Sequence, residues 1–285
     1  MTRIKQSQLA GTWYARGACG LAEQVDGLLA AAGPAATTAL TAVLVPHAGY
    51  VYSGRAAAAA YACVRDGGYA RAVIMAPSHF AAFRGIGLLD ADAFETPLGR
   101  VPIDAEAVAT RGAQPCCRER PEAYLEEHSL EIQLPLLQRV LPQVRVVPVL
   151  IGELRRDDEA AVVAALEPLA DARTLFVVSS DFVHYGARFG YLPFPPAGAA
   201  PVRAALRALD MGAIEQVCAG DVAGFRRYVD DSGATICGRA PIAAFLALHR
   251  RRTPGRLLMY YTSLDVTGDY EHCVSYASIA FPRPS

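Results

Sequence analysis

Short apolar runs alternate with amphipathic stretches along the chain. Residues 41–45, 71–76, 144–151 and 175–178 are apolar except for Thr41, Arg71 and Arg145, and rich in Val, Ile and Leu. Runs of this kind are expected of strands covered on both faces. Residues 86–90 read as a shorter strand, and 257–261 and 274–281 as two closing ones. Between them, residues 55–65 are Ala-rich and predict a helix. Residues 104–111 predict another, with Asp104 as its cap. Over 129–140 the leucines Leu130, Leu134 and Leu137, continued by Leu141, form a core-facing helical stripe. Pro135 either kinks this helix or marks its true start. Residues 157–169 open with Asp157 and Asp158, favourable at a helix N-terminus. Four prolines make 192–201 a loop, 202–229 read as two or three helices, and 240–251 as a last one.

Strands separated by helices imply βαβ units and a mostly parallel sheet covered by helices on both faces. No linker is polar or Gly/Ser-rich enough to mark a boundary. The expected architecture is therefore one α/β/α domain over residues 1–285, without a fixed-period repeat.

Composition narrows the class. Hydrophobic residues make up 53% and charged residues 19%, which excludes a disordered chain. The 27 Lys and Arg against 28 Asp and Glu leave a formal charge of -1, with no basic excess for nucleic acid or anionic lipid. The most apolar stretch, 56–64, is far short of the ~18 residues of a membrane span. Seven cysteines are too few for a disulfide scaffold, and the polar first residues do not form a signal peptide. A cytoplasmic protein with reduced thiols is expected, with no nucleic-acid or membrane partner.

Three strands run into polar residues that a plain core does not require. The first continues as Pro46-His47-Ala48-Gly49-Tyr50, the second as Pro77-Ser78-His79, the third as Ser179-Ser180-Asp181-Phe182-Val183-His184-Tyr185. Ligands of open parallel sheets bind beyond the carboxyl ends of the strands. If these strands are neighbours, His47, His79, Asp181 and His184 share one cleft. Two His and one further ligand form the usual open metal centre. The third ligand is either Asp181, completing a two-His, one-carboxylate set suited to Fe(II), or Cys237, which precedes a helix whose N-terminus favours thiolate. His128 and Glu131, three apart in one predicted helix, could pair as imidazole and orienting carboxylate. Cys116-Cys117 is expected to be a surface loop. His249 falls near a basic helix C-terminus, and Trp13 is expected to pack the N-terminal segment onto the body. No Walker loop, dinucleotide fingerprint or Gly-x-Ser-x-Gly elbow is present.

Six ordered blocks give these residues a family likeness. They are Ala10-Gly11-Thr12-Trp13-Tyr14, the stretch from Pro46 to Gly54, Pro77-Ser78-His79, Glu127-His128-Ser129-Leu130-Glu131, Ser179-Ser180-Asp181-Phe182 with His184, and Thr235-Ile236-Cys237-Gly238-Arg239. Together they resemble the Memo family, known in bacteria and archaea as AmmeMemoRadiSam system protein B. The resemblance implies a single α/β/α domain similar to the class III extradiol dioxygenases, and a metal site of His47, His79 and Cys237. It also implies that Asp181 and His184 line the same pocket, with His128 close by. On this reading His184, Asp181 and His128 are the catalytic candidates of a metal-dependent oxidoreductase. Iron (Fe2+) is the expected ion, with copper or zinc as alternatives, and a functional link to AMMECR-type and radical SAM proteins is implied. Two other uses of the cleft are a non-catalytic module binding a peptide or small molecule through Tyr50, Tyr52 and Tyr185, and an extradiol-type dioxygenase with Asp181 as third ligand.

Overall fold

The computed structural model describes residues 3–33, 39–65, 67–249 and 253–284. The chain opens with β1 (Ile4–Lys5), α1 (Ala18–Ala32), β2 (Leu40–Val45), α2 (Tyr50–Ala62), β3 (Arg71–Pro77), β4 (Ile86–Leu88), β5 (Ala93–Thr96) and β6 (Gly99–Pro102). The middle third holds α3 (Ala105–Gly112), β7 (Cys117–Glu119), α4 (His128–Glu131), α5 (Leu134–Val140), β8 (Arg145–Ile151), α6 (Arg156–Leu166), β9 (Thr174–Ser179) and β10 (His184–Tyr185). The last third is α7 (Ala199–Ala219), α8 (Val222–Ser232), α9 (Arg239–His249), β11 (Arg256–Thr262), α10 (Leu264–Thr267) and β12 (Cys273–Pro282).

The main sheet runs in the order β10-β12-β2-β9-β3-β8-β4-β7, with β11 also paired to β12. Its centre, β2-β9-β3-β8, is parallel throughout. These are the strands whose apolar runs are almost wholly buried. Helices α1, α2 and α5 pack together on one side, while α6, α7, α8 and α9 form the opposite group. Each strand of the centre thus loses both faces to helices, and burial rather than alternation dictates its sequence. The flanks are less regular: β12 is antiparallel to β2, and β4 is antiparallel to β8. A separate three-stranded sheet, β1-β5-β6, lies outside this frame.

Several boundaries move from their expected places. The helix expected over 129–140 is two, α4 and α5, and Pro135 lies in the first turn of α5, where its missing N–H costs nothing. Asp104 caps α3 as expected, its Oδ1 accepting from the Ala107 N–H at 3.1 Å. Helix α2 begins at Tyr50 rather than Arg55, and α6 ends at Leu166 before a 3-10 turn. Helix α7 already starts at Ala199, inside the expected 192–201 loop. The last helix is described to His249, and residues 250–252 of the expected 240–251 helix lie outside the described residues. Cys117 corrects the expected surface loop: it begins β7, paired in parallel with β4, and is fully buried. His249 is buried as well, with its ring stacked on Phe245.

Candidate metal centre

The three polar strand ends belong to β2, β9 and β3, which are immediate neighbours. Beyond β2 the Ser180 N–H still donates to Val45 O (2.9 Å), so the chain after β9 is clamped to the chain before His47. The His47 N–H donates to Asp181 Oδ1 at 2.8 Å. Asp181 therefore fixes the turn that presents His47. Its burial pushes the carboxyl up to about 6, against the opposing pull of His184 and the backbone donors of His47 and Ala48.

The tautomer of His47 follows from its partner. The Ser179 hydroxyl donates its only hydrogen to Ser129 O (2.6 Å) and accepts from Gln133 Nε2 (3.1 Å). It can meet His47 Nδ1, 2.9 Å away, only as an acceptor, so Nδ1 carries the hydrogen. The lone pair of His47 Nε2 then faces Cys237 Sγ at 3.0 Å. Burial, together with the positive charge that His128 and His79 would carry, holds the His47 imidazole well below its ordinary range and keeps it neutral.

His79 is fixed in the same manner by a carboxylate. Glu127 accepts from the His79 N–H at Oε2 (2.6 Å) and lies 2.9 Å from Nδ1 through Oε1. A carboxylate can only accept, so Nδ1 carries the hydrogen here too and Nε2 is left as the free donor atom. Although burial opposes it, Glu127 is drawn down to about 2 by the hydrogen bond and charge of His79 and by the backbone donors of His79 and Ser129.

Cys237 arrives from the far side, just before α9. Gly238 permits this approach: a Cβ there would lie 2.3 Å from Ser180 Cβ and 2.8 Å from Ser179 O. The Gly238 N–H donates to Ser180 Oγ (3.1 Å), and the Asp181 N–H donates to Cys237 Sγ (3.2 Å). Burial first, and then the Asp181 charge, push the Cys237 thiol far above its usual range, so without a cation the sulfur keeps its proton. Ligand atoms of His47, His79 and Cys237 all lie within 4.8 Å of one another. A cavity of about 830 Å³ opens beside Cys237, with Pro77, Ser78, Phe83, Arg84 and Arg239 among its walls.

The other predicted residues are distributed unequally. His128 stacks on His79 with ring centroids 4.5 Å apart and approaches His47 at 5.4 Å. Burial and the neighbouring His79 lower it to about 4. The Trp13 ring packs 4.5 Å from that of His128, so the N-terminal segment reaches the cluster itself. His184 donates from Nδ1 to Thr235 O (3.1 Å), which leaves its Nε2 free, and its charge bears on His47, His128 and Asp181. Asp181 does not hold the His184 ring; Thr235 does.

Two expectations are corrected. Glu131 does not orient His128: its carboxylate accepts from Ser7 Oγ, the Gln8 and Leu9 N–H groups and Tyr14 OH. The carboxylate beside the ring is Glu127, with Oε1 3.6 Å from His128 Nδ1. Of the three tyrosines expected to line a binding surface, Tyr50 and Tyr185 are buried, with hydroxyls on Ile132 O and Phe194 O. Only Tyr52 is exposed. The sequence assigns no orienting role to Glu127, Ser179, Gln133 or Thr235, yet these hold the ligand-type side chains directly or through one another. Glu127 carried one available signal: an acidic residue directly before a helix is a capping candidate, and its carboxylate does accept from the Ser129 N–H.

Residues 5–280 match the family profile described as Memo-like protein. The memo-1 homolog of Caenorhabditis elegans is 36% identical over 296 residues, covering 97% of this chain and 82% of its own length. A MEMO1 family protein of Methanothermobacter thermautotrophicus is 33% identical, covering 97% of this chain and 100% of its own. Among solved structures, an uncharacterized protein of Escherichia coli K12 superposes with a TM-score of 0.52 at 16% identity. That match covers 85% of this chain and 99% of the other and shows a shared fold. No described helix is long and apolar enough to cross a membrane.

Proposed function

The chain belongs to the Memo-like family, and from that premise we propose that it is a metal-dependent oxidoreductase holding one ion on His47, His79 and Cys237. The observation that carries this reading is the convergence of two imidazoles and a sulfur within 4.8 Å. Both Nδ1 atoms are already engaged, so both Nε2 lone pairs are available. Iron(II) is the proposed ion; copper and zinc fit the same donor set. Bound there, the ion would supply a Lewis-acidic and, for iron or copper, a redox-active centre.

The protein's own part can be assigned residue by residue. Glu127 and Ser179 hold the two rings in the tautomer that ligation requires. Asp181 fixes the His47 backbone. His184, with its free Nε2, is the group proposed to hold or move a proton at the substrate, and His128, kept neutral, is a second acceptor. The catechol-cleaving variant with Asp181 as third ligand is the weaker reading, because that carboxylate is occupied by backbone donors while Cys237 faces His47. A binding module remains the second reading, favoured by the exposure of Val51, Tyr52 and Phe80. Seven free thiols fit a cytoplasmic location.

The test is metal analysis of protein loaded anaerobically with Fe(II), followed by oxygen-consumption assays. The parent should hold one equivalent, and His47→Ala and Cys237→Ser should each lose it. Full retention by both variants would overturn the ligand assignment. Ligand affinity unchanged in metal-free protein would favour the binding module.

A further inference from the structure

Cys116 and Cys117 form a second sulfur pair, distinct from the ligand set above. Their Sγ atoms are 3.8 Å apart. The two are unequal. Cys116 is partly exposed and its thiol donates to Ala161 O at 3.4 Å, while Cys117 is fully buried at the start of β7. The peptide joining them is also engaged. Its carbonyl, Cys116 O, accepts from the Ile86 N–H at 2.8 Å. The same oxygen lies against Gly85, where a Cβ would come within 2.4 Å of it and φ is +80°. Phe83 and Arg84, the two residues before Gly85, line the cavity beside Cys237.

We propose that Cys116 and Cys117 are a redox-active vicinal dithiol, closed to a disulfide by low-molecular-weight disulfides. The Cys116 thiolate attacks one sulfur of the oxidant and expels its other half as a thiolate. The Cys117 sulfur, losing its proton, then attacks Cys116 Sγ and releases the second half as a thiol. Two protein thiols and one disulfide become one protein disulfide and two small thiols, so two electrons leave the protein and the atoms balance. The geometry supports this order, since the accessible thiol meets the oxidant and the buried one can reach only its neighbour. The neighbouring Cys117 thiol, and to a lesser degree Arg118, bring the Cys116 thiol down to about 7, which favours it as the attacking group. Adjacent Cα atoms are about 3.8 Å apart, below the usual span of a disulfide, so the ring is strained and returns readily to the dithiol. Closure must also turn the 116–117 peptide, and with it the carbonyl that holds Ile86.

Trypsin isolates both thiols in one peptide, residues 112–118, by cutting after Arg111 and Arg118. The intact protein is incubated with oxidised glutathione, blocked with iodoacetamide and digested without reductant. The expected peptide is two hydrogens lighter than the dithiol and unalkylated, and it takes two alkyl groups once reduced. In the same oxidised sample the Ile86 amide should exchange with deuterium faster than in reduced protein. Cys117→Ser should stop with one glutathione on Cys116, and Cys116→Ser should leave Cys117 unmodified. A doubly alkylated peptide, or a stable glutathione adduct in the parent protein, would overturn the proposal. The parent measurement decides it even if a variant fails to fold.

Discussion

The two ends of α4 place similar carboxylates in opposite employment. Glu127 and Glu131 are both buried and lie one helical turn apart. Glu127, at the N-terminal end, orients His79 and neighbours His128. Glu131 faces away from the cluster and gathers four donors from the N-terminal segment, which carries Trp13 back onto His128. One end of the helix orients the histidine cluster and the other fastens the strap that packs against it. Identical side-chain chemistry at adjacent turns is thus assigned by what the rest of the fold brings to it.

If that division is real, the two carboxylates separate in experiment. Glu131→Ala leaves two backbone N–H groups and two hydroxyls without their acceptor. At about 1 kcal/mol for each, stability should fall by about 4 kcal/mol in urea unfolding. Iron affinity of the folded variant should hold. A parallel fall in affinity would mean that the strap is part of the centre, acting through Trp13.

The pH dependence of metal-free protein probes the Glu127 end. His128 lies near 4 when folded and at 6.5 as an unperturbed side chain. Between these values the unfolded chain takes up the additional proton, so this ring's contribution is intact above 6.5 and is lost as pH falls towards 4. The shift corresponds to about 3 kcal/mol. His128→Gln should flatten the stability profile by up to that amount between pH 7 and 4. Glu127 acts in a lower window: its folded value is near 2 against 4.5, so its contribution is lost only as pH falls below 4.5. An unchanged slope in His128→Gln would show that the ring is not desolvated in solution.

Glu127→Gln should weaken Fe(II) affinity about 10- to 100-fold, the usual cost of losing a partner that orients a ligand. A competition titration against a chelator measures it. Unchanged affinity would assign the orientation of His79 to its stacking on His128 instead.

The contrast also shows what could be read from the residues alone. The strand ends were legible because buried parallel strands are nearly pure apolar runs, so His47, His79 and Asp181 stand out as interruptions. Neighbouring placement of β2, β9 and β3 then needed only the topology. The identity of the orienting groups was not legible. Helical spacing pairs His128 with Glu131, yet α4 begins at His128 and turns Glu131 towards Ser7 and Tyr14, over 110 residues away in sequence. Helix α1 is not legible locally although Leu21, Val25 and Leu29 form a buried stripe, because Gly20 and Gly27 dilute its helical character. The burial of Cys117 depends on pairing with β4, which no local pattern in Cys116-Cys117 announces.

Tyr14→Phe is the smallest and the most selective perturbation of the comparison. The Tyr14 hydroxyl donates to Glu131 Oε1 at 2.7 Å and lies 2.7 Å from Ser7 Oγ, which itself donates to the same carboxylate oxygen. Removing it deletes one donor of four and leaves no large cavity, because the ring stays against Tyr50. The cost should be about 1 kcal/mol, a net hydrogen bond and no more. Because Trp13 is the preceding residue, any loosening of the strap is transmitted to the Trp13–His128 contact, where Trp13 fluorescence reads it. A variant with the expected stability loss and an unchanged emission maximum would show that Glu131 anchors the segment redundantly. A red-shifted maximum with the same small loss would place Tyr14 as the link through which the strap holds His128.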